Sequence, residues 1–206
     1  MKYQDCSTVI IIPTKGRLVD VKAVESWMNL RFPQNSKFIR LFVMDLEVGS
    51  AYSETIESII ENPEFDNFKY VLTLESDNLP PFDGLIKLFE NMDKFDVIGG
   101  LYWSKGENGF PMVFGNTKDK LNFVPYLETG DLVQPCYGIG MGFTLFKLEI
   151  FRIPDLPRPF FKTVNNEKEV MTQDLYFCNN IYKLGYKVAC DTRVKVGHID
   201  ENGKVW

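Results

Sequence analysis

A single histidine occurs in the 206 residues, and the four cysteines (Cys6, Cys136, Cys178, Cys190) show neither Cys-x-x-Cys spacing nor pairing with that histidine in zinc fashion. These shortages exclude a zinc finger and a Cys-x-x-Cys redox centre, so free thiols in a reducing compartment are expected. Basic residues are also in deficit: 23 Lys and Arg against 28 Asp and Glu leave a formal charge of −5. Such a chain has no general attraction for phosphate backbones. Nucleic acid is therefore not favoured as a partner, although a local basic groove would be compatible with one. Long apolar runs are missing too. Nothing approaches the roughly 18 residues of a membrane span, and the polar opening Met1-Lys-Tyr-Gln-Asp-Cys6 does not read as a signal peptide. The expectation is a soluble, cytoplasmic protein with no membrane span. Three phosphate and nucleophile motifs are absent as well: Gly-x-x-x-x-Gly-Lys-Ser/Thr, Gly-x-Ser-x-Gly, and Gly-x-Gly-x-x-Gly after the first strand. Kinase, hydrolase and dinucleotide-binding readings lose support accordingly.

What is present is ordinary in bulk, with 45% hydrophobic and 25% charged residues, and long enough for one well-buried core. Val9-Ile-Ile-Ile12 followed by Pro13-Thr-Lys-Gly reads as a buried strand feeding a loop. Apolar spacing predicts a helix over 19–30, a second buried strand over 38–44, and a helix over 50–60. A third strand at 70–74 precedes a helix at 81–92 and a fourth strand at 96–101. Strand and helix alternation of this kind argues for an α/β, mostly parallel sheet flanked by helices. The later part has weaker strand candidates at 112–114, 122–126 and 143–146. A helix is expected from the Thr172 N-cap to Leu184 with Gly185 at C′, and two closing strands at 188–191 and 194–197. No repeat or linker divides the chain, so one domain, 1–206, is expected, with a nucleotide-type half to about 105 and an acceptor-side half from about 106.

The most informative segment is Tyr70-Val-Leu-Thr-Leu-Glu75-Ser-Asp77-Asn78-Leu-Pro-Pro81. An apolar strand delivers two carboxylates one residue apart, and alternation puts Glu75 and Asp77 on one face at its carboxyl end. Open α/β sheets bind ligands beyond the carboxyl ends of their strands. Three other polar clusters follow strand ends: Thr14 with Arg17, Asp45 with Glu47, and Tyr102, Trp103 and Lys105. Parallel strands should bring all four to one rim. His198, at the end of the last strand, together with the Asp77 carboxylate makes a partial shell for Mn²⁺ or Mg²⁺, completed by phosphate oxygens and water. Asp174 in the first helical turn is either a general base or an acid steadied by the helix dipole. Gly140 and Gly142, flanking Met141, either let backbone approach a ligand or relieve crowding. The aromatics Phe110, Tyr126, Tyr137, Phe160 and Phe161 either stack on a ligand or belong to the core.

These pieces, in this order, resemble the GT-A-fold glycosyltransferases, the family-2-like group in particular. Ile10-Ile-Ile-Pro13-Thr-Lys-Gly-Arg17 resembles that family's opening strand and loop, and Glu75-Ser-Asp77 stands at the place of its D-x-D motif. Gly138-Ile-Gly-Met-Gly-Phe-Thr-Leu-Phe-Lys147 resembles the acceptor-side strand. Thr172-Gln-Asp174-Leu-Tyr-Phe-Cys178 with Leu184-Gly-Tyr-Lys-Val188 resembles its acid-bearing helix and following strand, and Val194-Lys-Val-Gly-His198 its closing strand. The chain departs from the pattern at Glu75, where Asp is usual, at Gln173, where Glu is usual, and in ending soon after His198. A compact transferase of the phage type is compatible with these departures.

The resemblance implies a Rossmann-like nucleotide-diphospho-sugar transferase fold. It also implies transfer of a hexosyl or pentosyl group from a UDP- or GDP-type donor to a hydroxyl acceptor. Donor contacts would come from Pro13, Thr14, Arg17, Asp45, Glu47, Glu75, Ser76, Asp77, Tyr102 and Lys105. Asp77 and His198 would hold Mn²⁺ or Mg²⁺. Trp103, Gly140, Met141 and Gly142 would lie on the acceptor side. Asp174 would take the acceptor's proton in an inverting enzyme, or position acceptor or sugar in a retaining one. The acceptor could be a glycan, a small metabolite, a protein or a modified nucleobase in phage DNA. Two rival readings are a nucleotidyltransferase, which would carry a glycine-rich basic loop after the first strand, and a non-catalytic nucleotide-sugar- or glycan-binding module of the same fold.

Overall fold

In the computed structural model, which describes residues 5–16, 18–34, 36–166 and 170–206, the chain alternates strands and helices as its periodicity requires. In chain order the elements are β1 (Thr8–Thr14), α1 (Val21–Asn29), β2 (Phe38–Met44), α2 (Val48–Glu61), β3 (Tyr70–Leu74), β4 (Asn78–Leu79), α3 (Gly84–Phe89) and β5 (Val97–Leu101). Then follow β6 (Val113–Asn116), β7 (Val133–Ile139), β8 (Phe143–Lys147), β9 (Val164–Asn165), β10 (Val170–Met171), α4 (Gln173–Lys183), β11 (Val188–Lys195) and β12 (Gly197–His198). Eight strands form one sheet in the order β2-β1-β3-β8-β5-β11-β7-β6. Pairing directions make β2, β1, β3, β5, β11 and β6 point one way and β8 and β7 the other.

Period-2 alternation assigns each strand residue to one of two apolar layers. On one face Val9, Ile11 and Val71 pack with Tyr52, Ile56 and Ile59 of α2 and with Phe177, Cys178 and Ile181 of α4. On the other, Ile10, Ile12, Leu72 and Leu74 pack with Ala23 and Trp27 of α1 and Leu85, Leu88 and Phe89 of α3. The first layer is anchored by aromatic contacts: Phe177 stacks on Phe161 at 4.6 Å and on Phe151 at 5.3 Å. Phe160 and Phe161 are thus core, and Tyr137 is buried, whereas Phe110 is 44% exposed. All four cysteines are buried free thiols. Among the described residues no helix is long and apolar enough to cross a membrane.

Several elements differ from expectation for identifiable reasons. β2 is apolar in sequence, yet it is the sheet's edge strand, and Ile39, Phe42 and Met44 stand partly in solvent. Residues 122–126 run beside β6 through Gly115 N–H to Val124 O and Tyr126 N–H to Val113 O, but Pro125 has no N–H to continue the ladder. The first expected closing strand and the start of the second, to Lys195, are one strand, β11, while Gly197 belongs to β12. The break at Asp-Thr-Arg is an irregularity within β11, where Thr192 and the Arg193–Asp191 pair satisfy the displaced polar groups. α3 is shorter than its apolar spacing implies, and turns follow it.

Candidate functional site

The carboxyl ends of β1, β2 and β3, with the start of α4, enclose a pocket of about 420 Å³. That is within the usual range for a small-ligand site. Its lining includes the expected Pro13, Thr14, Glu47, Glu75, Ser76 and Asp77, and also Lys15, Leu46, Val48 and Gln173. The parallel arrangement of these strands is the reason residues so far apart in sequence share one rim. Lys15 and Gln173 carried only weak signals: Lys15 a cation after the first strand, Gln173 a polar residue at a helix start.

The loops are held by bonds that also limit what their side chains can do. Asp45 adopts the left-handed conformation (φ 61°), and its Oδ1 accepts from Gly16 N–H at 3.2 Å, tying the β2 loop to the β1 loop. It borders the pocket rather than lining it. Glu47 is the N-cap of α2, its carboxylate accepting from Ser50 N–H at 3.0 Å. Arg17, expected at the donor phosphates, lies outside the described residues.

At the end of β3 the chain turns through Glu75, Ser76 and Asp77 and re-forms as β4, which pairs antiparallel with β12. His198 of β12 is thereby set beside Asp77, with Nε2 3.5 Å from Oδ2. The imidazole Nδ1–H donates to Trp103 O at 2.8 Å, which leaves Nε2 facing the carboxylate. Tying the distal imidazole nitrogen to a carbonyl is the usual way a metal-binding histidine is oriented. Lys105 Nζ contacts the same Asp77 oxygen at 2.5 Å. Burial pushes the Asp77 carboxyl up, but hydrogen bonds and charge from His198 and Lys105 outweigh it and hold the group at about 2.

Glu75 behaves in the opposite way. Burial, then the neighbouring charges of Asp77 and Asp174, push it up to about 8, against weaker help from Lys105 and Lys15. The group therefore holds its proton to higher pH than an ordinary carboxyl, and while protonated it is a hydrogen-bond donor as well as an acceptor.

Asp174 sits behind the wall that Gln173 forms, only 4% exposed. Its Oδ1 accepts from the Thr172 hydroxyl and from Leu175 N–H, and burial raises its affinity for a proton. Thr172 is the N-cap by position, but its hydroxyl serves Asp174 instead of a backbone N–H. Tyr102 is buried, accepts Gly142 N–H at 3.0 Å and sets its ring edge against His198. Met141 is buried. A Cβ on Gly140 would overlap the Tyr102 hydroxyl, and one on Gly142 would sit 2.5 Å from Asn78 Oδ1. These two glycines therefore permit close packing beneath the site, in line with the crowding-relief alternative. Trp103 is half-buried at the rim.

Asp77 and His198 suit a hard divalent cation, one carboxylate and one oriented imidazole. Among the described residues no group of three or more His, Cys, Asp or Glu is placed to complete a metal site. An ion here would take its remaining ligands from a bound phosphate and from water.

The mixed sheet with helices on both faces and a pocket at the carboxyl ends of its leading strands has the GT-A fold, on its likeness to solved structures. Among solved structures, A197 from STIV superposes with a TM-score of 0.66 at 18% identity, over 97% of this chain and 92% of that one. GalNAc-T7, solved with UDP, GalNAc and Mn²⁺, superposes with a TM-score of 0.64 at 12% identity, over 97% of this chain. The match spans 45% of the GalNAc-T7 chain. At these identities the likeness establishes the fold. By sequence, no family model matches the chain and no curated protein matches it.

Proposed function

We propose that the chain is a metal-assisted glycosyltransferase that moves a sugar from a nucleotide diphosphate sugar to a hydroxyl acceptor. The observation that carries this reading is the Asp77–His198 pair at the mouth of the strand-end pocket, with the imidazole held by Trp103 O. The family-2-like order of motifs supports it, as does a GT-A neighbour solved with UDP, GalNAc and Mn²⁺.

Asp77 and His198 would hold Mn²⁺ or Mg²⁺, which supplies positive charge to a departing diphosphate. Thr14 and the Asp45 loop would flank the nucleoside, with Glu47 near its ribose. Glu75, whose carboxyl holds its proton to unusually high pH, would when protonated donate a hydrogen bond to a donor hydroxyl. Lys15 and Lys105 would meet phosphate oxygens as charge-assisted donors. Asp174, its carboxyl raised by burial, would receive the acceptor's proton or hold the acceptor in place. Trp103 would present an aromatic face on the acceptor side.

A second reading has a specific observation in its favour. Gln173 stands on the pocket wall while Asp174 lies behind it, an arrangement that a non-catalytic nucleotide-sugar-binding module would share.

The test is a thermal-shift panel of UDP-, GDP- and other nucleotide sugars with and without Mn²⁺, followed by donor hydrolysis and transfer assays. A ligand that binds only the native state must raise the melting temperature. The expected result is a metal-dependent shift for one nucleotide class, and loss of metal-dependent turnover in Asp77→Ala with the fold retained. Full activity in Asp77→Ala would sink the metal assignment. Donor binding without hydrolysis or transfer would establish the second reading.

A further inference from the structure

Lys105 occupies the place on Asp77 that a metal ion would need. Its ammonium is 2.5 Å from Asp77 Oδ2, the oxygen that His198 Nε2 also faces at 3.5 Å. A cation there offsets the carboxylate's charge and takes a lone pair on the oxygen that faces His198. The side chains of Lys105 and Asp77 are 32% and 38% exposed, so the pair is wet, and wet pairs reopen readily.

The backbone around Lys105 is held by hydrogen bonds, and its side chain by the partly exposed ion pair with Asp77. Tyr102 is pinned by Gly142 N–H, and Trp103 O is taken by the His198 imidazole. Beyond Lys105 the turn closes on itself: Ser104 N–H donates to Phe110 O at 2.9 Å, Phe110 N–H to Ser104 Oγ at 3.0 Å, and Gly109 N–H to Gly106 O at 3.0 Å. Lys105 therefore stands at the head of a closed loop, on a rigid base, with a four-carbon stem that can swing. The same short strap orients His198 and carries the cation that competes for Asp77.

Resting on the transferase reading above, we propose that Lys105 is a latch on the metal site. In the free protein it holds Asp77. A nucleotide diphosphate, with more negative charge than one carboxylate, draws the ammonium onto its phosphate oxygens and releases Asp77 to the ion. Donor and ion then bind with positive coupling, each raising the other's affinity by the same factor. No covalent bond changes. The lysine is a positioning residue for the diphosphate and sets the order in which the site fills.

The experiment is calorimetric titration of Mn²⁺ into the wild type and Lys105→Met, without nucleotide and with saturating UDP, with GDP in parallel. Circular dichroism verifies the fold of the variant, whose changed side chain is at the surface. Without nucleotide, Lys105→Met is expected to bind Mn²⁺ about tenfold more tightly than wild type, within the usual range of linked sites. The tightening produced by UDP or GDP is expected to be correspondingly smaller in the variant. Lys105→Arg keeps the charge and is expected to follow wild type. Equal Mn²⁺ affinity in wild type and Lys105→Met, with both binding the ion, overturns the latch and leaves the metal site standing. No Mn²⁺ binding by either protein, even with nucleotide bound, overturns the metal reading and the latch together.

Discussion

Glu75→Gln should make the metal-free protein more stable, and increasingly so as pH rises. The wild-type carboxyl is pushed from 4.5 to about 8 by burial and by the charges of Asp77 and Asp174. In the unfolded chain the same group ionises near its ordinary value. Between these two values the folded state therefore binds a proton that the unfolded state has released. Stability must then fall as pH rises through that window, because the slope follows the difference in bound protons. Below pH 4.5 the penalty is absent, and above about 8 it is complete. A rise of that size sets a ceiling of about 5 kcal/mol. Glu75 opens toward the pocket, where water screens its charge, so roughly half of that, about 2 to 3 kcal/mol, is the expected effect. Glutamine keeps the shape and never ionises, so it removes the penalty.

The assay is urea unfolding of both proteins in EDTA at pH 5, 7 and 8.5, with linear extrapolation. Groups distant from Glu75 cancel in the difference between the two curves, and Asp77 and Asp174, which raise it, enter as part of its penalty. The expected difference is small at pH 5 and reaches about 2 to 3 kcal/mol in favour of the variant at pH 8.5. Curves that stay parallel across the range would refute the reasoning. They would mean that Glu75 ionises at its ordinary value and that water reaches it freely. The variant is also expected to lose turnover, the usual trade of a site that holds an unfavourable group for function.

Two further outcomes are expected from the site and its support. Asp174→Asn retains an acceptor for the Thr172 hydroxyl and Leu175 N–H, so the fold should hold while kcat falls about 10²- to 10⁴-fold and donor affinity stays near wild type. Calorimetry with UDP and steady-state kinetics check this, and a matched loss of both would assign Asp174 to holding the helix start. Gly140→Ala drives a methyl into the Tyr102 hydroxyl, whose ring leans on His198. A loss of about 1 to 3 kcal/mol in urea unfolding is expected, and wild-type stability would refute the close packing beneath the site.

The leading strands were legible because burial on both faces demands continuous apolar runs, and β1, β3 and β5 have them. The same rule misjudged β2, since an apolar strand reads alike whether a neighbour covers it or, as here, it closes the sheet with Phe42 and Met44 exposed. β7 was hidden by Gln134 and Pro135, residues that argue against an interior strand. Pro135 is nevertheless accommodated because it pairs with β11 alone, just beyond the last β6 partner at Cys136. Local pattern describes a strand's own residues and says little about which strands will flank it.

The site divides along the same line. Thr14, Glu47, Glu75 and Asp77 were readable because each ends a strand or opens the next element, and a common strand direction suffices to bring them together. The position of His198 depends on more than direction. It reaches Asp77 only because the chain after Asp77 makes a two-residue strand, and because Gly197 and His198 pair with that strand in a register placing His198 opposite Asn78. A shift of one residue would turn the imidazole to the other face and away from Asp77. The hydrogen bond from Ile199 N–H to Asp77 O at 2.8 Å fixes that register, and the bonds between His198 and Trp206 hold the far side of β12. The imidazole's orientation then follows from Trp103 O, and Lys105 is two residues further along the same strap. The lysine contact on Asp77 is therefore a consequence of how the sheet closes, which no motif around Lys105 announces. Perturbing the β4–β12 pairing should disturb His198 and Lys105 together, whereas perturbing the strap's outer turn should disturb Lys105 alone.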